Sequence, residues 1–131
     1  MKHGSYNEER WKHLRGQIMR RDGYMDQELK RYGKRKPAEL VHHIFPSDEF
    51  PEYFYEPWNL TAISKETHEK LHDRDTNELT EAGAELLRRT ARKNGIPVPL
   101  RYLPEQIKQK KKGRGNNRVG IFEYYRGIKK S

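Results

Sequence analysis

The 131-residue chain contains no cysteine. Disulfide scaffolds, thiol catalysis and Cys-bound zinc are therefore excluded. Apolar residues are scarce, at 32% of the chain, so the core must be modest. No stretch approaches the roughly 18 consecutive apolar residues of a membrane span, and no membrane partner is expected. The opening residues MKHGSYNEERW lack the apolar run of a secretory leader, which makes the cytoplasm the expected location. No internal repeat is present. The length suits a single domain.

What the sequence has in abundance is charge. Lys and Arg number 28 against 19 Asp and Glu, a net +9, and 36% of residues are charged. About a quarter is usual. The distribution is uneven. Residues 1–36 carry 11 basic and 5 acidic side chains, residues 37–86 carry 3 and 12, and residues 87–131 carry 14 and 2. An acidic centre thus lies between two basic arms. Basic arms suit a polyanion, most simply nucleic acid, because Lys and Arg displace condensed counterions from phosphates. A soluble, highly charged surface is the plainer explanation.

Element signals follow along the chain. Ser5 and Glu8 have capping-box spacing, and Trp11, Leu14, Ile18 and Met19 recur at helical intervals, which predicts a helix over residues 6–21. A helical turn is expected near Gln27–Arg31. Residues 39–45 (ELVHHIF), ended by Pro46, and residues 59–63 (NLTAI) read as short strands. Between them, residues 47–58 form a loop with four acids and five aromatics. Phe50, Tyr53, Phe54 and Tyr55 are expected to pack inward, with the carboxylates outward. Ser64 is a good cap for a helix over residues 65–74, and Thr80 for one over residues 81–93. Beyond lie a short helix from Pro104 to Lys112, a turn at residues 113–117 and a strand or docked segment at residues 119–125.

Four of the six histidines fall in the acidic centre: His42, His43, His68 and His72. The last two, spaced i and i+4 on a helix, share one face and can chelate one ion. Such a pair alone is ordinary surface. A strand with His-His, a strand opened by Asn59 and a helix with His-x-x-x-His together make a compact metal site. Imidazole donors suit Zn, Ni, Co, Mn or Fe better than Mg. Residues 68–72 also match H-E-x-x-H, the zinc-protease signature, with Glu69 as the would-be base. That helix is short and charged on both sides, and no histidine follows His72 to complete a protease site.

Three segments, ELVHHIFP (39–46), WNLTAI (58–63) and THEKLH (67–72), together resemble the HNH endonuclease family with its ββα-metal fold. Residues 21–24 (RDGY) resemble the segment before the first zinc knuckle of phage-type members, so the resemblance covers about residues 18–74. It implies a mainly helical α+β single domain, with two short antiparallel strands and a metal-bearing helix. That domain would span residues 1–100, its core about 38–74, followed by a basic extension over residues 101–131. Phage-type members usually hold a structural zinc with two Cys-x-x-Cys pairs. Here Met25, Glu28, Ser64 and Thr67 stand at those positions, so packing of Tyr24, Met25 and Leu29 against Trp58 or Ile63 is expected to replace the zinc.

The resemblance also implies roles. His43 is similar to the general base that activates water, and Asn59 to the residue that fixes the loop and orients that base. His42 and His68 resemble ligands of one divalent ion (Zn, Mn, Ni or Mg), and His72 resembles the third ligand of an all-histidine branch. The implied activity is hydrolysis of DNA phosphodiesters to 5′-phosphate and 3′-hydroxyl ends. A monomer would nick a duplex, and a double-strand break would need a second event or a weak dimer. Arg88, Arg89, Arg92 and Lys93 on the last helix, and Lys108, Lys110, Lys111, Lys112 and Arg114 in the tail, are the expected phosphate contacts. Proteins of this type stand beside packaging genes in phage genomes, which makes a terminase a candidate partner. A non-catalytic nucleic-acid-binding module of the same fold is the competing expectation.

Overall fold

Two short apolar runs, each bounded by turn-forming residues, become strands β1 (Leu40–His43) and β2 (Leu60–Ile63). They pair antiparallel, with Leu40 opposite Ile63 and His43 opposite Leu60. The structure, a computed structural model, describes residues 7–105 and 107. Among them are four α-helices: α1 (Glu8–Arg21), α2 (Gln27–Lys30), α3 (Lys65–Leu71) and α4 (Glu81–Asn94). The described chain is therefore α+β. Ser5 of the expected capping box, the 113–117 turn, the 119–125 segment and the basic run from Lys108 to Arg114 lie outside the described residues.

The chain divides into two compact units, Met1–Thr80 and Glu81–Ser131. The boundary between them precedes α4. Local polar bonds account for the second unit's coherence. The Arg88 guanidinium donates 2.7 Å to the Tyr102 carbonyl and pairs with Glu81. This ties the middle of α4 to its own first residue and to the 3-10 turn at Leu100–Tyr102. Leu86, Leu87, Ala91, Val98, Tyr102 and Leu103 are buried.

In the first unit, α1 lays its apolar stripe on the sheet. Ile18 is buried with Val41 and Leu60, and Trp11, Leu14 and Met19 pack against this cluster. The helix is capped by Asn7, whose side chain accepts 3.0 Å from the Arg10 amide. Asn is as good a cap as Ser and sits where the first orphan amides need an acceptor.

A two-stranded sheet leaves each strand with an unpaired edge. On β2, residues 59 and 63 bond toward β1: the Ile44 amide donates to the Asn59 carbonyl, and the Glu39 amide to that of Ile63. Strand alternation turns the backbone groups of Leu60, Ala62 and Ser64 outward. Side chains from the end of α1 and the start of α2 meet all three. Arg21 donates 2.7 Å to the Leu60 carbonyl. Asp22 accepts 2.9 Å from the Ala62 amide, and Asp26 accepts 2.8 Å from the Ser64 amide.

Asp26 is the strongest of these ties. Its side chain is 1% exposed. One oxygen caps α2 by accepting 2.9 Å from the Leu29 amide. The other accepts from both the amide and the hydroxyl of Ser64, each at 2.8 Å. Ser64 in turn caps α3 through the Thr67 amide. Of the expected apolar join, Tyr24 is 54% exposed and Trp58 packs with Phe45 and Tyr53, so neither contributes to it. Positions 64 and 67 are held by hydrogen bonds to a buried carboxylate, which can satisfy several donors where an apolar contact would strand them.

Burial alone would raise the Asp26 pKa, but bonds from Thr67, Leu29 and Ser64 outweigh it and hold the group below its usual value. The ionised form is therefore the stabilising one. Its contribution is complete above about pH 3.9 and fades as pH falls through the lowered native value. Asp26→Asn should cost about 1.5–3 kcal/mol in urea unfolding at neutral pH. It should also remove part of the wild-type loss of stability on acidification below about pH 4. A variant as stable as wild type would show that the clasp is idle.

Candidate metal centre

Three elements carry the histidines to one place. β1 supplies His42 and His43 at its end. Ser64 starts α3 sharply, so His68 sits one turn in, its amide bonded to the Ser64 carbonyl at 3.0 Å. The helix then stops earlier than the expected residue 74. His72 is its C-cap, with extended φ −126° and ψ 141°. Its amide still reaches the His68 carbonyl at 3.2 Å, so the two rings remain 4.7 Å apart by centroids. His72 thus stands at the helix end, where the H-E-x-x-H reading expects it inside the helix.

The ligating nitrogens of His42, His68 and His72 all lie within 4.8 Å of one another. A tetrahedral ion with metal–nitrogen bonds of about 2.1 Å needs them about 3.4 Å apart, an adjustment within reach of side-chain rotation. His42 gives the decisive observation. The residue is 3% exposed, and its buried Nε2 has no hydrogen-bond partner. An orphan of this kind costs on the order of 1–3 kcal/mol. A metal ion at the cluster satisfies it, so the residues present fit one.

The electrostatics favour the neutral donors an ion requires. Burial, and then the neighbouring His72, His68 and His43, push the His42 pKa well down. Burial and His72 lower that of His68, partly opposed by Glu69. His72 has a built support: its Nδ1 lies 3.0 Å from the Asn77 carbonyl. The carbonyl can only accept, so Nδ1 carries the proton and Nε2 is the ligating nitrogen. A turn aims that carbonyl. Asp73 accepts from the amides of Asp75 and Thr76, and Asn77 takes a left-handed φ of 64°, which Asn tolerates well. Three protein ligands is the number found where a metal keeps a position open for chemistry.

His43 is not part of this ligand group, but it lines the same cleft as His42, His68 and His72. Its ring stacks on Trp11, with centroids 5.0 Å apart, and meets Phe54 at 4.5 Å. Its Nε2 lies 3.1 Å from the Phe54 carbonyl. In the neutral ring Nε2 therefore holds the proton and Nδ1 is the basic nitrogen. Asn59 is fully buried behind this loop. It accepts 2.7 Å from the Phe45 amide and donates 3.2 Å to the carbonyls of Phe45 and Tyr53. It therefore fixes the strand end and the residue next to Phe54, with no place in the cleft itself.

The aromatic loop packs as expected. Phe50 and Tyr53 join Phe45, while Phe54 meets Trp11. The Tyr55 hydroxyl accepts from the Asn7 amide, and Arg10 lies over its ring at 3.7 Å. Asp48, Glu49, Glu52 and Glu56 are exposed. The basic residues divide differently. Arg88 bonds to Tyr102 and Glu81. Arg89 is half-buried, and Arg92 and Lys93 are exposed. Lys110, Lys111, Lys112 and Arg114 fall outside the described residues. Spacing did not reveal Trp11, Phe54, Asp26 or Asn77 as supports, and only the turn-prone DRDTN run hinted at the last.

No family model, curated protein or solved structure matches the chain. The reading of the site therefore rests on its geometry.

Zn, Co or Ni added at about 100 times its dissociation constant should stabilise the folded chain by about 2.7 kcal/mol. His42→Ala should abolish that gain, and thermal unfolding with and without the ion reads both. An undiminished gain in the variant would remove His42 from the ligand set.

Proposed function

We propose that the chain is a divalent-metal-dependent DNA endonuclease of the HNH kind, hydrolysing phosphodiester bonds. One observation carries the reading: a histidine with a defined basic nitrogen and a three-histidine cluster line a single cleft. A protease reading lacks its helical ligand pair, and a purely structural metal site would not need His43 beside it.

His42, His68 and His72 would hold the ion, which when bound supplies Lewis-acid stabilisation of charge on the phosphate and leaving oxygen. His43 takes a proton at Nδ1 from water as the water oxygen bonds to phosphorus. The phosphorus–O3′ bond breaks, and the 3′ oxygen is protonated from solvent. The positive charge that His43 acquires is shared with the Phe54 carbonyl through Nε2–H. Trp11 and Phe54 hold the ring plane, so little reorganisation accompanies the transfer. Asn59 acts as a positioning residue, through the loop. The exposed Arg92 and Lys93 are the remaining described candidates among the expected phosphate contacts.

Supercoiled plasmid incubated with Mn, Mg, Ni or Zn should be converted to relaxed circles. His43→Ala should lower the rate by about 10²–10⁴-fold. Equal cutting by the variant would remove His43 from the mechanism. Binding without cutting under every ion would leave a nucleic-acid-binding module. Loss of cutting in Glu69→Ala would return attention to the H-E-x-x-H motif.

A further inference from the structure

The segment between α1 and β1 is more basic than anything else in the first unit. Five of the seven residues from 30 to 36 are Lys or Arg, and no acid occurs from 29 to 38. At its tip stands Tyr32, 68% exposed. Together with Tyr24 at 54%, it is one of the two large apolar side chains left exposed among the described residues.

This tip is held in place. The Ala38 amide donates 2.8 Å to the Tyr24 carbonyl, and the Asp26 amide 2.8 Å to that of Lys36, closing the loop at its base. Within it, Lys34 and Gly33 donate back to Leu29 and Lys30, and Gly33 makes the turn with φ 76°. Asp26 ties the base to Ser64, and Lys36 lies 3.3 Å from Glu66 on the first turn of α3. The seven residues of α3 span about 10 Å, so the loop is anchored within two helical turns of the metal ligands.

Tyr24 adds a second observation. Its φ is 60°, a left-handed conformation that a bulky side chain adopts at a cost. Gly or Asn would fit the backbone better, so the strained position keeps a second, more than half-exposed aromatic at the base of the loop.

We infer that this loop is a binding site for unpaired nucleic-acid bases, one base stacking on Tyr32 while Lys34 and Arg35 meet the flanking phosphates. Bases offer a flat face to any aromatic, and cations beside the ring add to the attraction. The Arg31 guanidinium already lies 5.5 Å from the Tyr32 centroid. A membrane surface is the less suitable partner, because interfacial insertion needs a broad apolar face and the tip has a single ring among cations. A duplex buries its base faces and offers Tyr32 nothing to stack on. The site deepens the nuclease reading by naming its substrate as DNA with an unpaired stretch, and rests on that reading for this consequence alone.

Binding is measured on the full chain with EDTA present, by fluorescence anisotropy, on labelled oligothymidylate of about 20 nucleotides and on a blunt duplex. Tyr32→Ala should weaken the single strand about tenfold or more and leave the duplex unchanged. Tyr32→Phe should retain affinity, and Tyr32→Leu should bind as weakly as Tyr32→Ala. Lys34→Ala with Arg35→Ala should weaken both DNAs and flatten the salt dependence by about one to two units of slope. Single-strand affinity unchanged in Tyr32→Ala, or retained in Tyr32→Leu, overturns the proposal. So does a Tyr32→Ala defect confined to phosphatidylserine vesicles. The expected pattern in a chain that never cuts plasmid would sustain the loop site and overturn the nuclease reading. Cutting without the pattern would do the reverse.

Discussion

The outer edge of β2 is the constraint on which the rest of the first unit depends. Two strands cannot satisfy one another's far sides, and among the described residues no third strand covers this one. The unpaired groups of Leu60, Ala62 and Ser64 are met by Arg21, Asp22 and Asp26. The same bonds that finish the sheet fasten α1 and α2 to it and fix where α3 begins. Once Ser64 is placed, the height of His68 is set, and β1 brings His42 alongside. The histidine cluster follows from an edge-strand problem solved with side chains.

Two kinds of histidine result from this frame. His42 is buried with an orphan nitrogen, a state that is poor for stability alone and suited to a ligand. His43, one residue along, is wedged between aromatic rings and bonded to a backbone carbonyl, so its proton has a defined position. Neighbours in sequence are thus given different surroundings on one strand. The acidic residues of the 47–58 loop stay exposed while its aromatics build the wall behind His43.

Much of this was legible in the sequence wherever spacing decides geometry. The His-His dipeptide, Asn59 and the His68–His72 interval identified the elements and the cluster. Ser64 was readable as a cap because its side chain acts within one turn. Side-chain bonds between distant segments were not legible. Asp26 looks like any surface acid until Ser64 is placed beside it, and Arg88 looks like a free cation until Tyr102 returns to it. The early end of α3 was missed because the turn at Asp73–Asn77 competes with helix propagation, and periodicity does not weigh that competition.

The carboxylate clasp has a chemical consequence. Thiolate clusters that staple small domains are lost when peroxide converts sulfur to its oxygenated acids. Asp26, Ser64 and Thr67 hold this junction without sulfur, through groups such oxidants leave untouched. The junction should therefore outlast an oxidative burst that would dismantle a sulfur-stapled one, its geometry set by hydrogen bonds that re-form whenever they break.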